Sequence, residues 1–154
     1  MISLEPIAFV RNSRREVEDD FWGGLVSVIE LADALPGDSL TGLDQFSHAE
    51  IVFHFHLVDA AKIVSGARHP RNNPDWPAVG IFAQRGKNRP NRIGLAVVRV
   101  LARAGRTLTV RDLDAIDGTP ILDIKPVMKE FLPIGEVHQP AWADALMRDY
   151  WKPR

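Results

Sequence analysis

The sequence predicts a mainly β protein, a small closed or nearly closed barrel of short strands with a short C-terminal helix. Short apolar runs are separated by Gly, Pro, Asp and Asn throughout the chain, the pattern of strands joined by turns. Long amphipathic segments do not alternate with these runs, which argues against a parallel α/β sheet. The 154 residues are 45% hydrophobic, enough for one core, and many short strands around one core tend to close on themselves.

Pro6 to Val10 reads as the first strand and Gly24 to Leu31 as the second, with Val26, Val28 and Glu30 on one face. Leu35-Pro36-Gly37-Asp38 has turn chemistry, and Leu40 to Phe46 a short helical turn. Ala49 to Val58 reads as one long strand, with Ile51, Phe53, Phe55 and Leu57 on one face and His54 and His56 on the other. Asn72 to Pro77 is a loop, Val79 to Ala83 a short strand, and Gln84 to Arg92 a polar segment. Ile93 to Leu101 reads as a buried strand and Thr107 to Val110 as a shorter one. Asp117-Gly118-Thr119-Pro120 is a turn before the strand Ile121 to Ile124. Pro140 to Tyr150 is predicted helical, with Trp142, Leu146 and Tyr150 at helical spacing. One domain is expected over residues 1–154, with its core at about 5–130 and an extension over 131–154.

The chain has no cysteine. That excludes disulfides, thiolate metal sites and a cysteine nucleophile, and it fits a cytoplasmic protein. No apolar run approaches the roughly 18–20 residues of a membrane span, and the first residues lack the regions of a signal peptide. The net charge of −1 names no partner, but its distribution is uneven. Between Asp75 and Asp112 there is no acid, while Arg85, Lys87, Arg89, Arg92, Arg99, Arg103, Arg106 and Arg111 all fall there. Such a stretch offers a local positive surface for phosphates or another anion, or simply a solvated basic face.

Three constellations could carry chemistry. In the first, a loop with Arg85, Arg89 and Asn91 lies between two apolar runs. Arginine grips carboxylate or phosphate bidentately, and Asn both donates and accepts as a purine edge requires. An ordinary basic hairpin loop fits these residue types equally well. In the second, Asp112, Asp114, Asp117 and Asp123 surround a tight turn. Asp117-Gly118 can be turn residues alone, whereas Asp123, between Leu122 and Ile124, wants a partner that the basic loop could supply. In the third, His54 and His56, with His48, Glu50 and Asp59 nearby, could share a metal as in cupin barrels. The glutamate and later histidine of that motif are missing, so local pairing of these histidines is favoured and no metal is expected.

Taken in order, several segments resemble the TsaA-like family, also called YaeB or TrmO proteins. They are Pro6 to Arg11, Gly42 to His48, Gly80 to Ala83, Arg89-Pro90-Asn91 with Ile93-Gly94-Leu95, and Asp117 to Pro126. The resemblance spans roughly residues 5–130. It implies a β-barrel that binds S-adenosyl-L-methionine, acts as a homodimer and methylates the exocyclic amine of a modified adenosine beside the tRNA anticodon. The family's cofactor contacts would fall on His56, Arg85, Leu95, Leu113 and Asp114, the two leucines through backbone or shape. Arg85-Gly86-Lys87 stands where the family has Arg-Ser-Pro, and Glu18 to Gly24 replaces its N-terminal Pro-Arg-Gln-Pro-Gly segment. That replacement could supply the missing contacts.

The reading is therefore a cytoplasmic, S-adenosyl-L-methionine-dependent tRNA methyltransferase that spans no membrane. Arg89 and Asn91 would hold cofactor or acceptor, and Asp117 is the candidate acid/base or orienting group. Arg92, Arg99 and Arg103 would meet RNA phosphates. Arg99 shares its strand face with Ile93, Leu95 and Val97, so burial is its alternative. The rivals are a non-catalytic S-adenosyl-L-methionine- or RNA-binding module and a cupin-like metal-dependent enzyme.

Overall fold

Strand alternation, read along the chain, builds a cylinder. In the computed structural model, which describes residues 1–154, the barrel strands are β1 (Ala8–Arg11), β2 (Val26–Leu31), β3 (His48–His54), β6 (Ile93–Ala104), β7 (Thr107–Arg111) and β8 (Pro120–Pro126). They close antiparallel in the order β1-β2-β7-β6-β3-β8. β4 (Ala67–Arg68) and β5 (Val79–Gly80) pair as a separate two-stranded ribbon, and α1 (Ala141–Leu146) follows the barrel. The mainly β class, the closed barrel and the short C-terminal helix are as the sequence predicts.

Each barrel strand turns every second residue inward. Val10, Ile29, Ile51, Phe53, Val98, Leu108, Val110 and Ile121 meet in one core. Register shifts at Val52/Phe53 and at Val100/Ala102 interrupt the ladders of β3 with β8 and of β6 with β7. Such bulges bend a strand and help a sheet curl to closure. Gly94 sits against Phe53: a Cβ there would fall 2.4 Å from the ring, so glycine alone permits this packing. The buried Ser27 hydroxyl is satisfied by Asn12 Nδ2 at 3.0 Å, which also donates to the Ala115 carbonyl at 2.8 Å.

On β2, Val26, Val28 and Glu30 share one face as expected; it is the outer one, and Ser27, Ile29 and Leu31 fill the core. Three other elements differ from expectation. β3 ends at His54, because the Phe55 carbonyl accepts the Val58 N–H and the Arg92 N–H turns back to the Arg89 carbonyl, so the ladder with β6 stops there. Val79 to Ala83 gives only two strand residues before a 3-10 turn over Ile81–Ala83. β6, read as buried, is buried on one face only. Its small residues Gly94, Ala96 and Val98 point inward, while Ile93, Leu95 and Val97 are 37%, 44% and 54% exposed. A continuous apolar run does not say that both faces are covered.

Candidate functional site

A cleft of about 1530 Å³ opens beside the outer face of β6. Its other walls are the segments at 17–24, 55–58, 81–89 and 139–153. It exceeds the usual few hundred to about 1,000 Å³ of a small-ligand pocket, leaving room for a ligand and a second reactant.

Asp114 is the most informative group in it. Leu113 and Ala115 on either side are buried in the barrel core, and alternation turns Asp114 the opposite way, into the cleft wall. Its Oδ2 accepts a hydrogen bond from the Tyr150 hydroxyl. Its Oδ1 is buried with no protein partner, an arrangement that calls for a donor from elsewhere. Burial pushes the Asp114 carboxyl above its ordinary value, opposed by the Tyr150 hydrogen bond, its own backbone and Arg85. The Tyr150 phenol is pushed up by burial and by the adjacent carboxylate, so it remains a donor.

The basic loop lies opposite. Arg85 Nη2 donates to the Leu95 carbonyl at 2.6 Å, tying the loop to β6 while its charge faces Asp114 and Tyr150. Arg89 Nη1 donates to the carbonyls of Gln84 at 2.6 Å and Gly86 at 3.4 Å, so it shapes the loop and also lines the cleft. His56 lines the cleft as well; burial lowers its pKa, which favours the neutral imidazole. The segment before β2 contributes Val17, Glu18, Asp19, Trp22, Gly23 and Gly24. It is organised by Arg14, whose guanidinium stacks 4.6 Å from the Trp22 ring centroid, pairs with Glu18 at 2.9 Å and donates to the Phe21 carbonyl at 2.6 Å.

The structure thus brings together His56, Arg85, Arg89, Leu95, Asp112 and Asp114 and leaves Asn91, Arg92, Arg99, Arg103, Leu113, Asp117 and Asp123 outside the cleft lining. Leu113 is fully buried in the core beside it. Asn91 holds a left-handed backbone conformation, φ 63°, which shapes the turn into β6. Asp117 Oδ1 accepts the Asn12 N–H at 3.0 Å, and the Asp117 N–H donates to the Arg14 carbonyl, so it braces β1. Asp123 is 51% exposed at its side chain and pairs with Lys125 at 3.3 Å, not with the basic loop. Arg92 Nη1 donates to the Val58 carbonyl at 3.0 Å, and Arg103 lies 3.5 Å from Asp44. Both are therefore engaged within the fold. Arg99 is exposed, its burial alternative removed by the open face of β6.

His48 Nδ1 contacts Ser47 Oγ at 2.6 Å, and Asp59 accepts the Ala61 N–H at 2.9 Å. No three His, Asp or Glu side chains gather as a metal site. From sequence, Tyr150 has only a place in a helical stripe, and Arg14 and Arg71, which pairs with Asp20 at 2.8 Å, have no role. The partners of Tyr150 and Arg71 lie far away in the chain, and those of Arg14 lie within an irregular segment without a periodic signal.

The cleft, with an acid and an arginine facing each other on a small antiparallel barrel, defines a ligand-binding β-barrel outside the doubly wound class. The family of the tRNA-methyltransferase O N-terminal domain matches residues 20–131, and the chain belongs to this family. It is 35% identical over 136 residues to a probable S-adenosyl-L-methionine-binding protein of Pyrococcus abyssi, covering 85% of this chain and 71% of that one. It is 38% identical over 96 residues to the human tRNA (adenine(37)-N6)-methyltransferase, covering 62% of this chain and 21% of that one. The crystal structure of TrmO from Pseudomonas aeruginosa superposes with a TM-score of 0.69 at 27% identity, over 90% of this chain and 61% of that one. The chain thus spans most of the archaeal relative, about a fifth of the human one and three fifths of the solved chain.

Proposed function

We propose that this chain is an S-adenosyl-L-methionine-dependent methyltransferase acting on the exocyclic amine of an adenosine beside the tRNA anticodon. The observation that carries the reading is the partnerless, buried Asp114 Oδ1 in a cleft that also presents Arg85 and His56. That donor set fits S-adenosyl-L-methionine, which has an ammonium and ribose hydroxyls for a carboxylate and a carboxylate for an arginine. The bound cofactor would supply an activated methyl group. Asp114, Arg85 and the backbone at Leu95 would hold it, with Arg89 keeping the loop in shape.

Alignment in the cleft would account for most of the catalysis. Asp117 faces β1, which makes the neutral His56 imidazole the better-placed acceptor for the amine proton. The open apolar face of β6 supports a homodimer in which a second copy packs against Ile93, Leu95 and Val97 and completes that wall of the cleft. Of the three arginines expected to meet RNA, the exposed Arg99 is the best placed. No helix is long and apolar enough to cross a membrane. A single domain and a cytoplasmic location belong to the same reading.

Titration calorimetry is expected to show S-adenosyl-L-methionine binding that Arg85→Ala weakens. Mass spectrometry of tRNA nucleosides from cells with and without the gene should show one methylated adenosine lost. A folded protein that binds no S-adenosyl-L-methionine refutes the reading, whereas binding without a change in tRNA favours a binding module. Arg99→Ala should lower tRNA affinity and reduce the salt slope by about 0.7–0.9 for one lost phosphate contact. Light scattering with cofactor present is expected to give twice the monomer mass, and monomer alone counts against the dimer.

A further inference from the structure

We infer that Tyr150, carried on the C-terminal segment, is a positioning residue for the cofactor cleft: it holds Asp114 through Oδ2 so that Oδ1 is presented to the ligand. This rests on the function proposed above and extends the site to a part of the chain outside the residues matched to the family, 20–131.

The C-terminal segment is fastened along the 18–23 segment. The N–H of Phe21 donates to the Asp149 carbonyl at 3.2 Å and that of Trp22 to the Tyr150 carbonyl at 2.8 Å. Gly23 and Pro153 form a parallel bridge, and Arg154 pairs with Glu18 at 2.7 Å. At Gly23 a Cβ would fall 1.9 Å from the Trp151 carbonyl oxygen, so the approach is possible only because the position is glycine. Fixing the backbone on both sides of Tyr150 fixes where its ring enters the cleft wall. There the hydroxyl meets Asp114, more than thirty residues earlier in the chain.

A carboxylate with one oxygen bonded and the other free has lost its rotational freedom. The free oxygen then accepts a ligand donor without paying to order itself. The charged groups facing the pair are Arg85, from the loop across the cleft, and Arg71, from the 3-10 turn after β4; Arg71 is held by Asp20. The tyrosine hydrogen bond and Arg85 both favour the ionised carboxylate, and burial opposes them. Removing the hydroxyl should therefore raise the carboxyl pKa further.

The test measures S-adenosyl-L-methionine binding by calorimetry across pH for the wild-type full chain, Tyr150→Phe, Asp114→Asn and the double variant. Tyr150→Phe is expected to weaken binding roughly two- to tenfold at neutral pH. It should also move the acidic limb of the binding profile to higher pH, which a merely structural role would not do. In the Asp114→Asn background the same change is expected to have little further effect. Because the chain holds one tyrosine, ¹³C labelling of tyrosine gives a single ring signal in the unmutated protein. That signal should shift when S-adenosyl-L-methionine is added, a readout that survives if Tyr150→Phe fails to fold. Wild-type protein that binds no S-adenosyl-L-methionine overturns the function and this inference together. Wild-type binding with an unmoved tyrosine signal, or a Tyr150→Phe variant whose affinity and pH profile are unchanged or whose affinity rises, overturns the inference alone.

Discussion

The barrel wall and the cleft rim are built by different rules. In the wall, neighbouring strands and a period of two decide which side chain is buried: Ala49, Ile51 and Phe53 face in, and Glu50 and Val52 do not. In the rim, single polar contacts between distant segments decide the geometry. Examples are Gly24 with Asp112 at 2.7 Å, Arg154 with Glu18 at 2.7 Å, and Tyr150 with Asp114. The wall spreads its stability over many interchangeable apolar contacts, whereas the rim depends on a few irreplaceable ones. Damage to the wall should therefore appear in folding, and damage to the rim in binding.

The largest expected effect is on the wall. Ile51 is fully buried between β6 and β8. Ile51→Ala should cost about 2–5 kcal/mol of unfolding free energy, read as a lower urea midpoint with an unchanged slope. Protein that remains folded should retain nearly the wild-type S-adenosyl-L-methionine affinity. A large affinity loss in the folded fraction would mean that wall and rim are not separable.

The same division explains what the sequence made legible. Alternation marks β1, β3, β7 and β8 well, and the ordered segments from Pro6 to Pro126 point to the family whose structures share this fold. Of the site, Arg85, Asp114, His56 and Leu95 are reached through the resemblance, and the cleft contains all four. The misreadings have particular causes. Apolar alternation over Ala49 to Val58 predicts a strand longer than β3, because nothing local announces that the Phe55 carbonyl will accept the Val58 N–H and turn the chain. Asp123 lies between apolar residues, but the bulge between β3 and β8 turns Ile121 and Ile124 to the core and leaves Asp123 half-exposed beside Lys125. Asn91 carries the residue type of a ligand contact while its φ explains it as turn chemistry. Tyr150 was visible only as one point of a helical stripe, although α1 ends at Leu146 and the tyrosine lies in the turns beyond it.

Asp114→Asn sharpens the contrast, because binding and stability should move apart. Losing a charge-assisted hydrogen bond should weaken S-adenosyl-L-methionine binding by about 1.5–3 kcal/mol, roughly ten- to a hundredfold. Stability should change in the other sense. Burial raises the folded carboxyl pKa above its ordinary value of 3.8. As pH rises from there towards the raised value, the unfolded chain releases its proton first, and stability falls. Asparagine removes that fall, so at neutral pH the ligand-free variant should melt no lower than the wild type. A variant that melts well below wild type with its affinity intact would place Asp114 in the wall.

Gly23→Val acts on the rim without touching the barrel core. The added side chain cannot coexist with the Trp151 carbonyl, so the C-terminal segment must shift and carry Tyr150 away from Asp114. The expected result is a several-fold loss of S-adenosyl-L-methionine affinity, comparable to the roughly two- to tenfold value of one hydrogen bond. Limited proteolysis should cut earlier near the C-terminus, with little change in the unfolding midpoint of the barrel. Unchanged proteolysis and affinity would show that the fastening at 21–23 is dispensable.

The smallest effect is a pH slope at the junction of the two regions. His54 ends β3 opposite Ile93, and its pKa is lowered from 6.5, first by burial and then by the neighbouring charges of Arg92 and His56. Below about pH 6.5 the unfolded chain takes up a proton before the folded one does, so stability should decline as pH falls through that value. The decline should continue until the folded imidazole titrates as well. His54→Gln removes this contribution but leaves the similar one from His56, whose pKa is lowered chiefly by burial. Thermal melts of the ligand-free protein at about pH 7.5 and about pH 5.5 should therefore differ less for His54→Gln than for wild type. The double change His54→Gln with His56→Gln should reduce the difference further. His54→Gln should leave S-adenosyl-L-methionine affinity at neutral pH near the wild-type value, because His54 does not line the cleft. If it lowers affinity as much as Asp114→Asn does, the end of β3 belongs to the rim, and the boundary between the two regions must be drawn one turn further into the barrel.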